Sequence, residues 1–511
     1  MSAATLVSRI LGYVKDMILA RYFGATGISD TFFVAFRIPN LLRELFAEGS
    51  MSSAFIPVLT EYQTNRGGAE AKRLVGITFT FILVFVGLLC VLGILFAPQI
   101  VGIIAPGFLK DPGKFSQTVL LTRLMFPFLL FISLAALVMG ALNVHRVFFV
   151  PALAPATLNV TIIAFVLILV PVLEEPITAV ALGVTFGGLA QFAFQLPSFL
   201  RQDYGLRFSS QFGHPGLRKM ALLIMPATIG MAVAQVNIFI STILASFLPQ
   251  GSITYLYYSM RLIQFPIGIF GVAMGMAALP ALSEHAVRGE MEDLREDFSF
   301  ALRLLFFITV PAMMGLIALR GPIVNALFQR GIFDYGATVG TADALLFYSL
   351  GIWAVVGVRV VTATFYSLSD TRTPVKVAVA AMIINIVMSL ALMGPLKHAG
   401  LAFANAIASS ANFLLLFLFL RKKLGRIDGR RILGSFARIT AASLVMAVAG
   451  WSMLHGALWT VSGRTLEKTF YLGGAIMVCL FVYLFISFLL RGDEMVYLCD
   501  KVRSRLARRA S

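Results

Sequence analysis

Residues 8–24 read SRILGYVKDMILARYFG. The apolar residues are those of a helix that crosses a bilayer, yet Arg9, Lys15, Asp16 and Arg21 interrupt them. Lys15 and Asp16 fall near the middle of such a helix, where a charge costs about 2.5–3.5 kcal/mol even on lenient insertion scales. The helix is tenable only if its charges face protein or water. At about 100° per residue, Arg9, Gly12 and Asp16 share one stripe, and Lys15 lies one step round from Asp16. Arg21 points elsewhere, near a span end, and its long stem can carry the charge to the surface.

The rest of the chain has the same character. Of 511 residues, 59% are hydrophobic and 13% charged, with mean hydropathy +0.90. A soluble domain is about a quarter charged. The apolar runs are about 20 residues long and do not alternate, which predicts helices and not a barrel. Fourteen spans are expected, at 4–23, 30–62, 74–104, 118–144, 152–173, 177–200, 217–248, 253–283, 298–319, 338–369, 374–394, 399–420, 432–455 and 469–490. The fold class is therefore an all-α polytopic membrane protein. Charges interrupt any apolar run in the first 25 residues, so a cleaved signal peptide is not expected.

Basic residues set the expected orientation. Loops after even-numbered spans, with the C-terminal tail, hold 24 Lys and Arg, and loops after odd spans hold seven. The positive-inside rule then places both termini in the cytoplasm. The net charge of +17 is mostly this asymmetry. The tail DKVRSRLARRAS reads as a stop signal against anionic membrane lipid, and nucleic acid is not an expected partner.

The chain also repeats itself. GISDTFFVAFR, residues 27–37, aligns with GSITYLYYSMR, residues 251–261; PVLTEY at Pro57 and PALSEH at Pro280 follow in each. An even number of spans per unit gives two parallel repeats, related by a pseudo-twofold axis along the membrane normal. The expected organisation is a six-helix lobe over 1–200, a second over 201–425, and two extra helices with the basic tail over 426–511. The run RKKLGRIDGRR from Arg421 reads as the linker to that last pair.

Inside the spans, basic residues outnumber acids. Arg123, Arg303, Arg359 and Arg438 lie near span ends and read as structural. Arg37, Glu44 and Glu48 share a stripe of the second span, with Arg43 beside it and Asp30 at its start; Arg261 takes the place of Arg37 in the second repeat. Arg9, Lys15, Arg43 and Arg261 read as a cationic cavity for an anionic group, because buried cations need a compensating anion. For Asp30, Arg37, Glu44 and Glu48, positioning the cations and fixing helix packing both stand. GLAFANAIASSANF, from Gly400, reads as close helix packing. There is no phosphate-cradling glycine loop with a lysine and no H-E-x-x-H, so a carrier is expected and not an enzyme. Three scattered cysteines and five separated histidines give no metal spacing.

These residues resemble the MurJ (MviN) lipid II flippases of peptidoglycan synthesis, within the multidrug/oligosaccharidyl-lipid/polysaccharide exporter superfamily. The resemblance rests on the whole stretch from Ser8 to Tyr62, APGF at Ala105, FVPALAPATLNV at Phe149, YYSMRLIQFPIGIFGVAMGMAALPALS at Tyr257, SDTRTPVK at Ser369 and GPLKHAGLA at Gly394. It implies a multi-pass protein of the bacterial cytoplasmic membrane. It implies that lipid II, an undecaprenyl-pyrophosphate-linked sugar-peptide, is moved from the inner to the outer leaflet by alternating access. It implies a cationic cavity and a groove for the prenyl tail by the last two helices. Family cavity residues fall on Arg9, Asp16, Asp30, Arg43, Glu48 and Arg261. Lys15 stands where the family often has arginine, which keeps the charge but loses the two-pronged grip on phosphate. Met260 stands where some relatives have an acid. Where some relatives bind sodium through carboxylates, this chain offers Asn237, Asn385 and Asn405, so a sodium site is not expected. No cofactor is expected, the membrane potential or another coupling ion is left as the energy source, and cell-wall synthesis proteins stay open as partners. The alternative is an exporter of another lipid-linked glycan, or of drugs, on the same fold.

Overall fold

The computed structural model describes residues 2–44, 54–205, 208–268, 280, 282–425, 427–454, 456–490 and 492–497, with only the backbone for 2–3 and 225–234. Among the described residues the regular structure is helical, with no strand. The helices that matter below are α1 (Ser2–Phe23), α2 (Gly27–Arg43), α3 (Ile56–Asn65), α4 (Gly68–Leu95), α5 (Ala97–Ile104), α6 (Pro112–Val144), α7 (Phe149–Leu169), α8 (Ile177–Leu200), α9 (Pro215–Ser246) and α10 (Ser252–Pro266). They continue with α11 (Met291–Ala318), α12 (Arg320–Phe328), α13 (Tyr335–Ser349), α14 (Ile352–Ser367), α15 (Arg372–Leu424), α16 (Gly429–Met453) and α17 (Thr465–Leu489).

Among the described residues nine helices are long and apolar enough to cross a membrane. One of the nine joins α13 to α14. Another is α15, whose 53 residues would extend about 80 Å if straight, far beyond a bilayer core of about 30 Å. Lys397 breaks it, with φ 50° and ψ −130°, and so divides it into the two spans expected on either side. Gly400 makes this turn possible: a Cβ there would lie 2.3 Å from the Leu392 carbonyl oxygen. The nine do not include α1, α2, α9 or α10. Three of these, α1, α2 and α10, carry the candidate site charges. The first and second spans are charged along their length, the seventh is described by backbone alone over 225–234, and the described part of the eighth is shorter than the expected span.

The chain forms two compact units, Met1–Thr254 and Tyr255–Ser511. In the first, α6 packs against α2, α4 and α8, and α7 packs against α8 and α1. Phe55, Leu59, Leu74, Leu137 and Phe199 are fully or almost fully buried in its core. Lipid tails are as apolar as these side chains, so close fit and not water exclusion holds such helices together. In the second unit α15 packs against α13 and α14. The small-residue run works as expected there: Ala402, Ala404 and Ala406 are buried, and a Cβ on Gly351 would meet the Ala406 Cα at 2.9 Å.

The last pair of helices packs into this second unit. α16 lies along α11. The Tyr483 hydroxyl of α17 donates to the Phe307 carbonyl of α11 at 2.6 Å. Arg303 of α11, 2% exposed, reaches Asp493 and Glu494 beyond α17 at 3.0 Å each. Ser435 of α16 donates to the same Glu494 carboxylate at 2.9 Å. Arg303 is thus a structural cation, as its place near a span end predicts.

The SDTRTP stretch is also structural in part. Asp370 accepts from the Thr373 N–H at 3.0 Å and from its hydroxyl at 2.9 Å, closing the start of α15. Lys423, near the far end of α15, donates to Asp370 at 3.0 Å. The Thr373 N–H and then Lys423 hold the Asp370 carboxyl down at about 2, against an ordinary 3.8. A lowered value in the folded chain means stability present above the ordinary value and lost as pH falls through about 2. Asp370→Ala should lower neutral-pH stability by about 1 kcal/mol, as loss of a helix cap does. It should also flatten the fall in melting temperature between pH 4 and pH 2 that the parent shows in thermal unfolding.

Candidate functional site

The charge pattern of α1 resolves into an ion pair. Asp16 is fully buried, and Lys15 Nζ lies 3.1 Å from its Oδ1. A lysine stem is long enough to close the one-step offset between adjacent residues of a helix. Arg9 and Arg21 are both exposed. Asn159 of α7 donates to the Ser8 carbonyl at 3.4 Å, so α1 is tied to the first unit beside Arg9.

On α2, Asp30 is 1% exposed, and its carboxylate is fully engaged. It accepts from the Gly251 N–H at 2.8 Å, the Thr254 N–H at 3.0 Å and the Thr254 hydroxyl at 2.9 Å. Lys114 Nζ stands at 3.4 Å. In the repeat Gly27 aligns with Gly251, so Thr254 occupies the position of Asp30 itself. In this conformation Asp30 is a buried anchor.

About three and a half turns further along, at the end of α2, Arg43 and Glu44 form a polar cluster. Arg43 Nε donates to Asn40 at 3.1 Å, and its Nη2 lies 3.8 Å from Glu44. Asn40 donates to Glu44 at 3.1 Å, and Gln235 of α9 donates to the other Glu44 oxygen at 2.6 Å. Arg43 is 23% exposed and Glu44 34%, so both can be wetted. Glu48 lies outside the described residues. In the second unit Arg261 is half-buried on α10, beside Met260. The structure therefore groups Lys15 with Asp16, Asp30 with Lys114 and Thr254, and Arg43 with Glu44.

Sequence reasoning missed Asn40, Gln235, Lys114 and Thr254. Asn40 had a signal, since it is three and four residues before Arg43 and Glu44 on one helix face. Thr254 had one in the repeat. Lys114 and Gln235 reach their partners across 84 and 191 residues of chain, and no local pattern points to them.

The second unit also holds an apolar groove of about 800 Å³, walled by Phe306, Trp353, Phe413, Leu433 and Phe436, with Arg421 and Arg430 among its lining. Two of its walls, Leu433 and Phe436, belong to α16. α17 contributes nothing to it.

Apolar spans with charge gathered on a few helices define a polytopic helical transporter. A family model described as lipid II flippase MurJ matches residues 19–468. The lipid II flippase MurJ of Burkholderia cenocepacia is 36% identical over 450 residues, covering 87% of each chain. The probable lipid II flippase MurJ of Vibrio cholerae is 36% identical over 483 residues, covering 92% of each. A solved structure of a lipid II flippase MurJ in an inward-closed conformation superposes with TM-score 0.78 at 26% identity, covering 96% of this chain and 98% of that one. An inward-facing multidrug-resistance MATE family transporter of the MOP superfamily gives TM-score 0.64 at 15% identity, covering 82% of this chain and 95% of that one, a likeness of fold alone. The chain belongs to the MurJ family.

Proposed function

We infer that this protein carries lipid II from the inner to the outer leaflet of the bacterial cytoplasmic membrane. Family membership over nearly the whole chain carries that conclusion. Arg9, Lys15, Arg43 and Arg261 hold the pyrophosphate through charge-assisted hydrogen bonds, each about twice as strong as a neutral one. Asp16 and Glu44 keep Lys15 and Arg43 in place while the site is empty. The aromatic groove of the second unit takes part of the prenyl tail. A carrier for cationic drugs would instead present unneutralised acids. The protein works as a carrier with no catalytic step. Fourteen spans in two six-helix lobes with an added pair remain the topology favoured by the repeat and the charges. Depleting the protein in cells should trap lipid II on the inner leaflet. Unchanged lipid II, with another lipid-linked precursor accumulating, would transfer the function to that substrate.

Cytoplasmic termini follow from the basic loops. A cysteine at Glu174, an exposed loop position, should react with an impermeant thiol reagent from outside, and one at exposed Ser210 should react only from inside. The reverse pattern would overturn this orientation.

The membrane potential, negative inside, drives the anionic headgroup outward, and no sodium site is needed. A pyrophosphate with about two negative charges gains at most about 4–5 kcal/mol per 100 mV. Proteoliposomes with a fixed potassium diffusion potential should flip labelled lipid II faster toward the positive side. Equal rates at zero potential, with sodium and pH matched, would remove the potential as driver and reopen an ion site around Asn237, Asn385 and Asn405.

A further inference from the structure

We propose that a separate groove in the first unit binds an anionic phospholipid of the cytoplasmic leaflet, with one acyl chain in the groove and the phosphate on Arg218. The placement rests on the cytoplasmic location of the segment between the sixth and seventh spans given above. The groove is about 730 Å³, with walls that include Phe55, Phe81, Ile82, Phe85 and Met220. Its α4 wall runs from Thr78 to Val86, about 12 Å along a helix, which suits a stretch of one straight chain. Phe81 and Phe85 are 36% and 42% exposed and stack with ring centroids 5.4 Å apart. On a membrane span such a wall faces hydrocarbon.

The segment before α9 closes one end of this groove. Phe212 meets Phe81 edge to face at 6.1 Å, and Phe208 meets Phe79 at 5.9 Å. Arg73 fastens the segment by two bonds to Gln211, at 3.1 and 2.7 Å. The nearby cations are mostly neutralised: Lys219 pairs with Glu61, Arg73 with Glu70 and Lys72 with Asp203. Arg218 lines the groove and is exposed, and it has no acid partner among the described residues. A lone arginine beside an apolar slot at the membrane surface is complementary to a lipid with a net negative head. A zwitterionic lipid brings a cation of its own to the same place. The prenyl-tail groove proposed above lies in the other unit.

The test uses the full-length protein in phosphatidylcholine nanodiscs, with phosphatidylglycerol carrying a photoreactive diazirine in one acyl chain and a phosphatidylcholine probe of the same build. The phosphatidylglycerol probe should label peptides spanning 78–86 and 217–224. Arg218→Ala, a surface change, should reduce that labelling about fivefold, the equivalent of about 1 kcal/mol per basic residue at an anionic surface. The phosphatidylcholine probe should be unaffected. Ala221→Trp, which fills the slot, should suppress both. Equal labelling by both heads that ignores Arg218→Ala would overturn the proposal, as would displacement of the probe by unlabelled lipid II, which would make the occupant the substrate's own tail. Cysteine labelling at Ser210 separates the two readings. Reaction from outside would refute the cytoplasmic placement even where headgroup-selective labelling persists.

Discussion

Arg43→Ala and Arg261→Ala should each abolish growth of a strain depleted of its own flippase, while protein levels stay near the parent's. Arg43 donates to Asn40 and has a long contact to Glu44. Glu44 keeps Asn40 and Gln235 without it, and partly exposed pairs of this kind contribute only about 0–1 kcal/mol. The fold should therefore tolerate the loss. Transport should not, because a hydrogen bond from a cation to phosphate contributes about 1.5–3 kcal/mol, roughly ten- to more than a hundredfold per residue. Arg9→Ala should behave alike, since Arg9 is exposed and available to substrate. Lys15→Arg should be tolerated, because the charge facing Asp16 is kept. Rates in lipid II proteoliposomes would give the size of each effect. Full complementation by Arg43→Ala and Arg261→Ala together would place the pyrophosphate elsewhere.

The second large effect is on folding. Arg303→Ala should destabilise the protein by about 3–5 kcal/mol, because it leaves the buried Glu494 carboxylate without its cation. Truncation after Gly425 does the converse: it removes Asp493 and Glu494 and leaves Arg303 without its acids. The truncated chain should accumulate poorly, although the repeat alone would suggest a self-sufficient twelve-helix core. Two rescues separate this account from general loss of packing. Arg303→Met should recover part of the stability of the truncated chain. In the full chain, Arg303→Met with Glu494→Leu should recover most of what either single change loses, since a matched apolar pair commonly replaces a buried ion pair without penalty. Thermal unfolding in detergent would check both. A truncated chain as stable as the parent would show that the last helices merely lean on the second unit.

The fold was largely legible because a bilayer imposes a strict grammar. Long apolar runs must be helices, loop charges set direction, and small residues such as Ala402 and Ala406 mark close packing. Lys397 was legible only as a gap between two spans, since backbone angles leave no trace in composition. The site was legible in kind and less so in arrangement. Arg9, Lys15, Asp16, Arg43 and Glu44 stood out because each is expensive in hydrocarbon. What they touch depends on chain segments far away in sequence, which is why Gln235 and Lys114 went unseen. Arg303 shows the opposite difficulty: a buried arginine in sequence does not announce whether it serves ligand or scaffold, and Glu494, 191 residues on, decides it.

Asp30 has a consequence for how the protein is made. Its first partner, Lys114, follows 84 residues later, and Gly251 follows 221 residues later. At about 5–20 residues per second, Lys114 leaves the ribosome roughly 4–17 s after Asp30, and Gly251 roughly 11–44 s after it. For that interval the second helix enters the membrane with an acid at its start and none of the donors that will surround it. The carboxylate must wait at the water boundary, and the lysine reaches it well before the backbone amides of Gly251 and Thr254. Assembly of the first unit therefore has an order written into it, with a provisional charge pair that later becomes one bond of four. Loss of Lys114 would be felt more in the yield of inserted protein than in the stability of the finished one.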